Sequence, residues 1–302
     1  MLLATTTEDF APYTDSHEER VRYLYEAGFR YVDLSLYHVK EGDPLFGDEW
    51  REAAEALLAY AEGLGMRFVQ SHAPAVNCLG SEEDFEQGIK AVSRAIEVCG
   101  ALGIPTTVTH AGYRPSLDEA GWREGNLRFY RALLPLAEKS GVRLLVENSA
   151  HANLKGYYLY SGSELRRFYD EVNHPNFGVC WDTGHANMEG AQYDEILALG
   201  DALAAIHFHD NHGEKDEHLI PLMGTMNVDE VVHALVDIGF KGPFTFEATS
   251  SLCPPHSPGG KRRPFPTDTR MGKPTLAMQK ATERLLCVTG EEILSAYGLF
   301  KK

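Results

Sequence analysis

The sequence predicts a single α/β domain spanning residues 1–302, folded as a (β/α)8 TIM barrel. Short apolar runs rich in β-branched residues recur eight times and are separated by longer segments of helical periodicity. This alternation is the pattern of βα units around a parallel sheet. Several helical segments stop at a glycine just before the next apolar run, and 302 residues is a usual length for one barrel.

The predicted strands are short and recur along the chain. They lie at residues 2–6, 31–36, 67–71, 106–109, 143–147, 177–181, 205–209 and 243–247. The clearest predicted helices lie at residues 49–64, 86–102, 126–140, 163–172 and 228–238. Strands of a parallel barrel are covered on both faces, so they are nearly continuous apolar runs.

A glycine joins five helical segments to the strand that follows. These glycines are Gly28, Gly65, Gly103, Gly141 and Gly239. Glycine adopts the left-handed conformation that ends a helix at little cost. The repeated join therefore indicates one structural motif used many times.

Residues 252–270 depart from this repeat because they are rich in Pro, Gly and basic residues, including Lys261, Arg262 and Arg263. We expect a long loop there, after the eighth strand. Such a loop overhangs the C-terminal mouth of a barrel, where barrel enzymes bind substrates. A disordered strap that packs against nothing fits the composition equally well.

The chain is acidic, with 28 Lys and Arg against 44 Asp and Glu and a formal net charge of −16. That charge repels nucleic acids and anionic membranes at long range, so we expect neither as a partner. Five scattered cysteines form no CxxC pair, which argues against a disulfide framework or a thiolate zinc site. With no basic leader and no apolar run of membrane-spanning length, we expect a cytoplasmic protein.

Side chains that bind metals stand where the predicted strands end. The third to the eighth strand all end in His, Asp or Glu. These residues are His72, His110, Glu147, Asp182, His207 and Glu247, with His185 and His209 close behind. One polar residue at a strand end is expected, because strands reach the surface there. Six metal-competent ends in succession indicate a metal site.

Ligands on separate strands converge only if the sheet closes into a ring, as it does in a barrel. Glu147, Asp182, His207 and Glu247 would then face one ion. Such an oxygen-rich set with an imidazole suits Mn²⁺, Mg²⁺, Co²⁺, Zn²⁺ or Fe²⁺. His207 and His209 have the same parity in the seventh strand, so the sequence does not decide between them.

These segments resemble the xylose isomerase-like TIM barrel superfamily, which contains sugar isomerases, epimerases and endonuclease IV. The resemblance covers nearly the whole chain. Its more specific parts are Asp-Thr-Gly-His at residues 182–185 and His-Asp-Asn at residues 209–211. Weaker matches are Ser71-His72-Ala73-Pro74, Glu147-Asn148, Asp216-Glu217-His218-Leu219 and Phe246-Glu247.

The resemblance implies a sugar or sugar-phosphate isomerase or epimerase with one divalent ion held by Glu147, Asp182, His207 and Glu247. In these enzymes the ion binds adjacent oxygens of the sugar. Glu147 and Glu247 would remove and return a proton through a metal-stabilised enediolate. His185 would orient a substrate hydroxyl.

An endonuclease IV-like phosphoesterase with up to three zinc ions is the alternative. His72, His110 and Glu147 could hold one ion, the four residues above a second, and His185, Asp216 and His218 a third. The acidic charge favours a small sugar-like substrate over DNA. No clear phosphate-binding loop and no clear substrate-binding arginine follow the seventh strand, so the identity of the substrate stays open. A barrel that binds sugar-like ligands without catalysis is a further alternative. Homo-oligomer formation stays open.

Overall fold

The computed structural model describes residues 1–252 and 274–300, and within them eight parallel strands form one sheet. The strands are β1 Leu3–Thr6, β2 Tyr31–Ser35, β3 Arg67–His72, β4 Thr106–Thr109, β5 Arg143–Glu147, β6 Phe177–Asp182, β7 Leu203–His207 and β8 Phe244–Phe246. Their hydrogen-bonded order is β7-β6-β5-β4-β3-β2-β1-β8. Each predicted strand is therefore present.

The sheet closes just beyond the end of β7. Phe208 pairs with Phe246 in a parallel bridge. The Phe208 amide donates to the Thr245 carbonyl at 2.8 Å, and the Glu247 amide donates to the Phe208 carbonyl at 3.3 Å. The strands therefore form the predicted barrel, and their C-terminal ends form one ring.

Helices connect the strands around the outside of the barrel. Within the described ranges they are α1 His17–Ala27, α2 Trp50–Gly63, α3 Glu82–Leu102, α4 Glu119–Ser140, α5 Gly162–Val172, α6 Thr183–Asn187, α7 Tyr193–Leu199, α8 Val228–Asp237 and α9 Leu276–Ala296. The last helix packs against α1 and β1. None of the helices described combines the length and the apolar character needed to cross a membrane.

The predicted helices differ from the structure mainly at their starts. α3 and α4 begin at Glu82 and Glu119, before the predicted residues 86 and 126. In both cases a side chain caps the helix: Ser81 accepts from an amide of the first turn of α3, and Asp118 does the same for α4. The hydrophobic periodicity starts later than the cap, which explains the difference. At the other end, Gly141 closes α4 with φ of 68°, as its position predicted.

The barrel interior is apolar on the side of β4 to β7. Val108, Leu145, Cys180 and Ala205 form a small buried cluster there, separate from the main core between strands and helices. Leu145 and Glu147 lie on the same side of β5 because side chains alternate along a strand. The polar ends of β4 to β7 therefore lie directly above this apolar cluster. The loop expected at residues 252–270 falls, except for Leu252, outside the described residues.

A buried acid connects α9 to the segment after β1. Glu283 is 1% exposed and lies near Asp9. Burial and the charge of Asp9 raise the pKa of Glu283 well above its usual value of 4.5. Because the folded protein holds this proton more tightly than the unfolded chain, the stabilisation is complete below about pH 4.5 and is lost as the pH rises through the folded-state pKa.

We therefore expect the free energy of unfolding of Glu283→Gln to rise relative to that of the wild type as the pH increases from about 4.5 to the folded-state pKa of Glu283. The gain has a limiting slope of about 1.4 kcal/mol per pH unit. Urea unfolding at a series of pH values measures it. Glu292→Gln, at an exposed position on the same helix, is the matched control and should follow the wild type. Parallel pH profiles for Glu283→Gln and the wild type would show that Glu283 carries no such proton.

Candidate functional site

The side chains singled out in the sequence gather at the C-terminal ring of the barrel. His72, Glu147, Asp182 and His207 are the last residues of β3, β5, β6 and β7. His110 and Glu247 follow β4 and β8 by one residue. A cavity of about 290 Å³ opens above them. Its lining includes His72, His110, Glu147, His185, Asp216, His218 and Glu247.

Glu147 is the meeting point of three imidazoles. Its Oε2 lies 2.9 Å from His110 Nε2 and 3.4 Å from His72 Nε2. Its Oε1 lies 2.9 Å from His207 Nδ1. The Glu147 side chain is only 1% exposed. One buried carboxylate thus connects residues from β3, β4, β5 and β7.

Four of the predicted residues approach closely enough to share an ion. Glu147, Asp182, His207 and Glu247 each offer a ligand atom, and these four atoms lie within 4.8 Å of one another. Ligand atoms bound about 2.0–2.6 Å from a common ion are separated by distances of this size. His72, His110 and Glu147 form another such group. Glu147 also forms a group with Cys180 and His207, so it belongs to three candidate groups.

His185, Asp216 and His218 form a cluster beside these groups. Asp216 Oδ2 lies 3.2 Å from His185 Nε2, and Asp216 Oδ1 lies 3.1 Å from His218 Nε2. His218 Nδ1 donates to the Glu247 carbonyl oxygen at 2.8 Å. All the residues that the sequence assigned to a third ion thus come together as well.

His207 and His209 have different partners, although they are two residues apart and were expected to face the same side of β7. His207 Nδ1 faces Glu147 Oε1 at 2.9 Å and Glu247 Oε2 at 3.4 Å. His209 lies beyond the end of β7, and its Nε2 lies 2.9 Å and 3.0 Å from the two Asp182 oxygens. Its ring stacks on His218 at 3.9 Å. Of the two histidines, His207 is the one in the four-residue group.

Paired charges keep Glu147 and Asp216 ionised. Burial acts to raise the pKa of Glu147, but His207 and His110 outweigh it and hold the pKa well below its usual value. His218 and His185 likewise hold the pKa of Asp216 well below its usual value, against the effect of burial. These carboxylates are therefore charged at neutral pH, as cation binding requires.

Asp33 lies behind His207, on the side away from the other ligands. Its Oδ2 is 3.9 Å from His207 Nε2, and its side chain is 1% exposed. His207 Nε2 and Asp33 Oδ1 are both buried without a hydrogen-bond partner among the described residues. An acid behind a metal-binding histidine orients the ring so that the other nitrogen faces the ion. Asp33 lies in the position of such an acid, and at 3.9 Å it is beyond hydrogen-bond distance of His207 Nε2.

Sequence reasoning missed several residues of this region, among them Glu8, Asp33 and Tyr37. The sequence does carry a signal for Asp33, because a charged residue inside an apolar strand covered on both faces requires a specific environment. Glu8 and Tyr37 follow β1 and β2 in connecting segments. Polar and aromatic residues are common in such segments, so no sequence signal separates these two from their neighbours.

The fold and the ring of carboxylates and imidazoles define a barrel with a candidate metal centre at its C-terminal mouth. The chain belongs to the Xylose isomerase-like TIM barrel family, which matches residues 21–264. This match confirms the resemblance found in the sequence.

Relatives of this chain include both epimerases and endonucleases. L-ribulose 3-epimerase of Methylomonas sp. (strain DH-1) is 32% identical over 238 residues, covering 74% of this chain and 76% of the relative. A probable endonuclease 4 of Methanoculleus marisnigri is 32% identical over 171 residues, covering 54% and 55%. Two uncharacterized proteins, from Sinorhizobium fredii and Methanocaldococcus jannaschii, match over about half of their own length.

The fold also matches solved structures. D-psicose 3-epimerase from Clostridium cellulolyticum H10, solved with D-tagatose, superposes with a TM-score of 0.75 at 17% identity. The match covers 100% of both chains. At this identity the likeness shows the fold, and the site must be judged from its own residues.

Gly184 leaves the space that the His209 ring occupies. A Cβ at this position would lie 1.9 Å from His209 Cε1 and 2.4 Å from its Nδ1. We expect Gly184→Ala to push His209 away from Asp182 and to lower the free energy of unfolding by roughly 1–3 kcal/mol. Chemical denaturation measures the loss. Gly63→Ala, where an added Cβ meets open space on α2, is the control and should be neutral or stabilising. Equal stability of Gly184→Ala and the wild type would show that His209 has room to move.

Proposed function

We propose that this protein is a divalent-metal-dependent epimerase that inverts C3 of an unphosphorylated ketose. The observation that carries the proposal is the meeting of Glu147 and Glu247 in one four-residue group. They come from β5 and β8, so they approach a substrate from different parts of the ring. The 3-epimerase relatives support the same reaction.

Glu147, Asp182, His207 and Glu247 are the residues that would hold the ion. Three carboxylates and one imidazole form a hard donor set of the kind that suits Mn²⁺, Mg²⁺, Co²⁺, Zn²⁺ or Fe²⁺. A divalent ion bound there would polarise a ketone and its neighbouring hydroxyl and so acidify the carbon between them. Asp33 would keep His207 oriented with Nδ1 toward the ligand group.

The two glutamates would transfer the proton. One carboxylate removes the hydrogen on C3 as a proton, and the electron pair of the broken C–H bond moves into an enediolate. The other glutamate, in its protonated form, then donates its proton to the opposite face of C3 and becomes a carboxylate, which inverts that carbon. His110 and His207 lower the pKa of Glu147, so Glu147 is ionised and ready to act as the base.

The charges around the cavity favour a neutral sugar. Four carboxylates line it, those of Glu8, Glu147, Asp216 and Glu247. No Lys or Arg is among the lining residues in the described part of the chain. The described lining therefore offers no arginine or lysine to pair with a phosphate, which favours an uncharged sugar. The volume of about 290 Å³ suits a small polyol.

A multinuclear phosphoesterase is the second candidate, because the clusters around His72 and His110 and around Asp216 assemble beside the four-residue group. Such clusters activate a hydroxide and stabilise phosphoryl transfer. The probable endonuclease 4 relatives support this reading. Against it stand the net charge of −16 and a cavity without basic side chains in its described lining.

Deuterium exchange tests the epimerase most directly. In D₂O with Mn²⁺, we expect D-psicose or L-ribulose to acquire deuterium at C3, because the removed proton exchanges with solvent. Glu147→Gln and Glu247→Gln each remove one proton carrier and should slow exchange by at least about 100-fold. NMR of the recovered sugar measures the label. Glu214→Gln, exposed on the loop after β7, should behave as the wild type.

Other outcomes assign the protein differently. Undiminished exchange in both glutamine variants would remove the catalytic roles given to Glu147 and Glu247. Cleavage of an abasic-site oligonucleotide without any sugar exchange would transfer the assignment to the phosphoesterase. Sugar binding with neither reaction would leave a binding barrel.

A further inference from the structure

One wall of the cavity has no part in the proton transfer described above. It is formed by Glu8, Ser35, Tyr37 and His38, which follow or end β1 and β2. Glu8 lies in the 3-10 turn Thr7–Phe10, and Ser35 is the last residue of β2. We call these four residues the β1–β2 wall.

The Glu8 carboxylate is held in place from two directions. Ser35 Oγ donates to Glu8 Oε2 at 2.9 Å, and His38 Nδ1 contacts Glu8 Oε1 at 3.0 Å. Ser35 is itself fixed, because its amide donates to Thr7 Oγ1 at 2.9 Å. The Glu8 side chain is 15% exposed, whereas that of His38 is 66% exposed. The largely buried Glu8 carboxylate is thus held at the cavity wall by two residues. One is the fixed Ser35, and the other is His38 at the surface.

Glu8 is charged and has hydrogen-bonding capacity left over. Burial acts to raise its pKa, but the contact with His38 outweighs it and lowers the pKa below the usual value. A carboxylate offers about four acceptor positions, and the two contacts above use two of them. The charged Glu8 carboxylate is therefore a strong hydrogen-bond acceptor for a hydroxyl group, and it repels a phosphate or another carboxylate.

Tyr37 joins this wall to the metal-competent residues. Its ring makes edge contacts with His38, His72 and His110 at centroid distances of 4.7, 4.9 and 5.7 Å. Burial and the nearby carboxylates raise the pKa of Tyr37 to about 12, so it keeps its phenolic proton. Tyr37 therefore links the Glu8–His38 pair to the histidines beside Glu147, and all of these residues line the same cavity.

We propose that Glu8, positioned by Ser35 and His38, binds the terminal hydroxyl of the substrate that is farthest from the reacting carbon. This inference rests on the proposed epimerase function and adds a specificity determinant to it. For a ketohexose epimerised at C3, the hydroxyl is the one on C6. Glu8 then selects sugars whose last carbon carries a hydroxyl. It rejects sugars that carry a phosphate there or that lack this hydroxyl donor.

The experiment compares the holoenzyme and its variants on D-psicose, 6-deoxy-D-psicose and 1-deoxy-D-psicose, with the Mn²⁺ concentration fixed. A hydrogen bond to a charged group contributes roughly 10- to 100-fold in binding. The wild type should therefore prefer D-psicose over the 6-deoxy sugar by at least about 10-fold in kcat/KM, mainly through KM. Glu8→Ala should abolish that preference and leave turnover of the 6-deoxy sugar nearly unchanged. The 1-deoxy sugar should show no dependence on Glu8.

Three further variants separate recognition from damage to the fold. Glu41→Ala, exposed on the loop after β2 and outside the cavity lining, should keep the wild-type preference. Glu8→Gln keeps the shape and an acceptor oxygen and should retain part of the preference while accepting D-psicose 6-phosphate better than the wild type does. His38→Ala leaves the carboxylate but frees it, so it should weaken the preference by a smaller factor than Glu8→Ala.

The outcomes are distinguishable from those of the parent proposal. A wild type that exchanges no ketose overturns the epimerase function and this inference with it. A wild type that turns over D-psicose, together with a Glu8→Ala variant that still prefers it over the 6-deoxy sugar, overturns the role of Glu8 alone. A Glu8→Ala protein that slows equally on all three sugars would show a structural role and would also reject the subsite.

Discussion

The site depends on one electrostatic balance: buried carboxylates held beside buried imidazoles at the rim of a closed barrel. Glu147 and Asp182 are almost inaccessible to water, and an isolated charge at such a position is costly. Closure of the sheet between Phe208 and Phe246 brings His207 from β7 against Glu147 from β5 and Glu247 from β8. In the four-residue group three carboxylates accompany one imidazole, which makes the same place suitable for a cation.

Much of this arrangement is predictable from the sequence because it follows from strand order alone. Parallel strands in a barrel all end at the same rim, so metal-competent residues at six strand ends had to come near one another. The apolar runs and the glycines after helices place those ends within a few residues. The convergence of His72, His110, Asp182 and Glu247 around Glu147 needed no further information.

Details that depend on packing are not predictable in this way. The pairing of β6 with β7 shifts register between Val179 and Cys180, and β7 ends at His207. The alternation of side chains along β7 therefore does not predict that His207 and His209 contact different carboxylates. The role of Asp33 depends on an acid of β2 facing a histidine of β7 across the barrel interior. Glu8 becomes part of the cavity only through the turn after β1 and its contact with Ser35.

The central claim is that Glu147, Asp182, His207 and Glu247 share one divalent ion. Calorimetric titration of the chelator-treated protein with Mn²⁺ tests it directly. The account predicts one ion per chain, with affinity at least about 10-fold weaker in Asp182→Asn. It predicts no change in Asp201→Asn, where the side chain is 83% exposed. Saturable binding that is unaffected by Asp182→Asn and by Glu247→Gln, or no binding at all, would contradict the account.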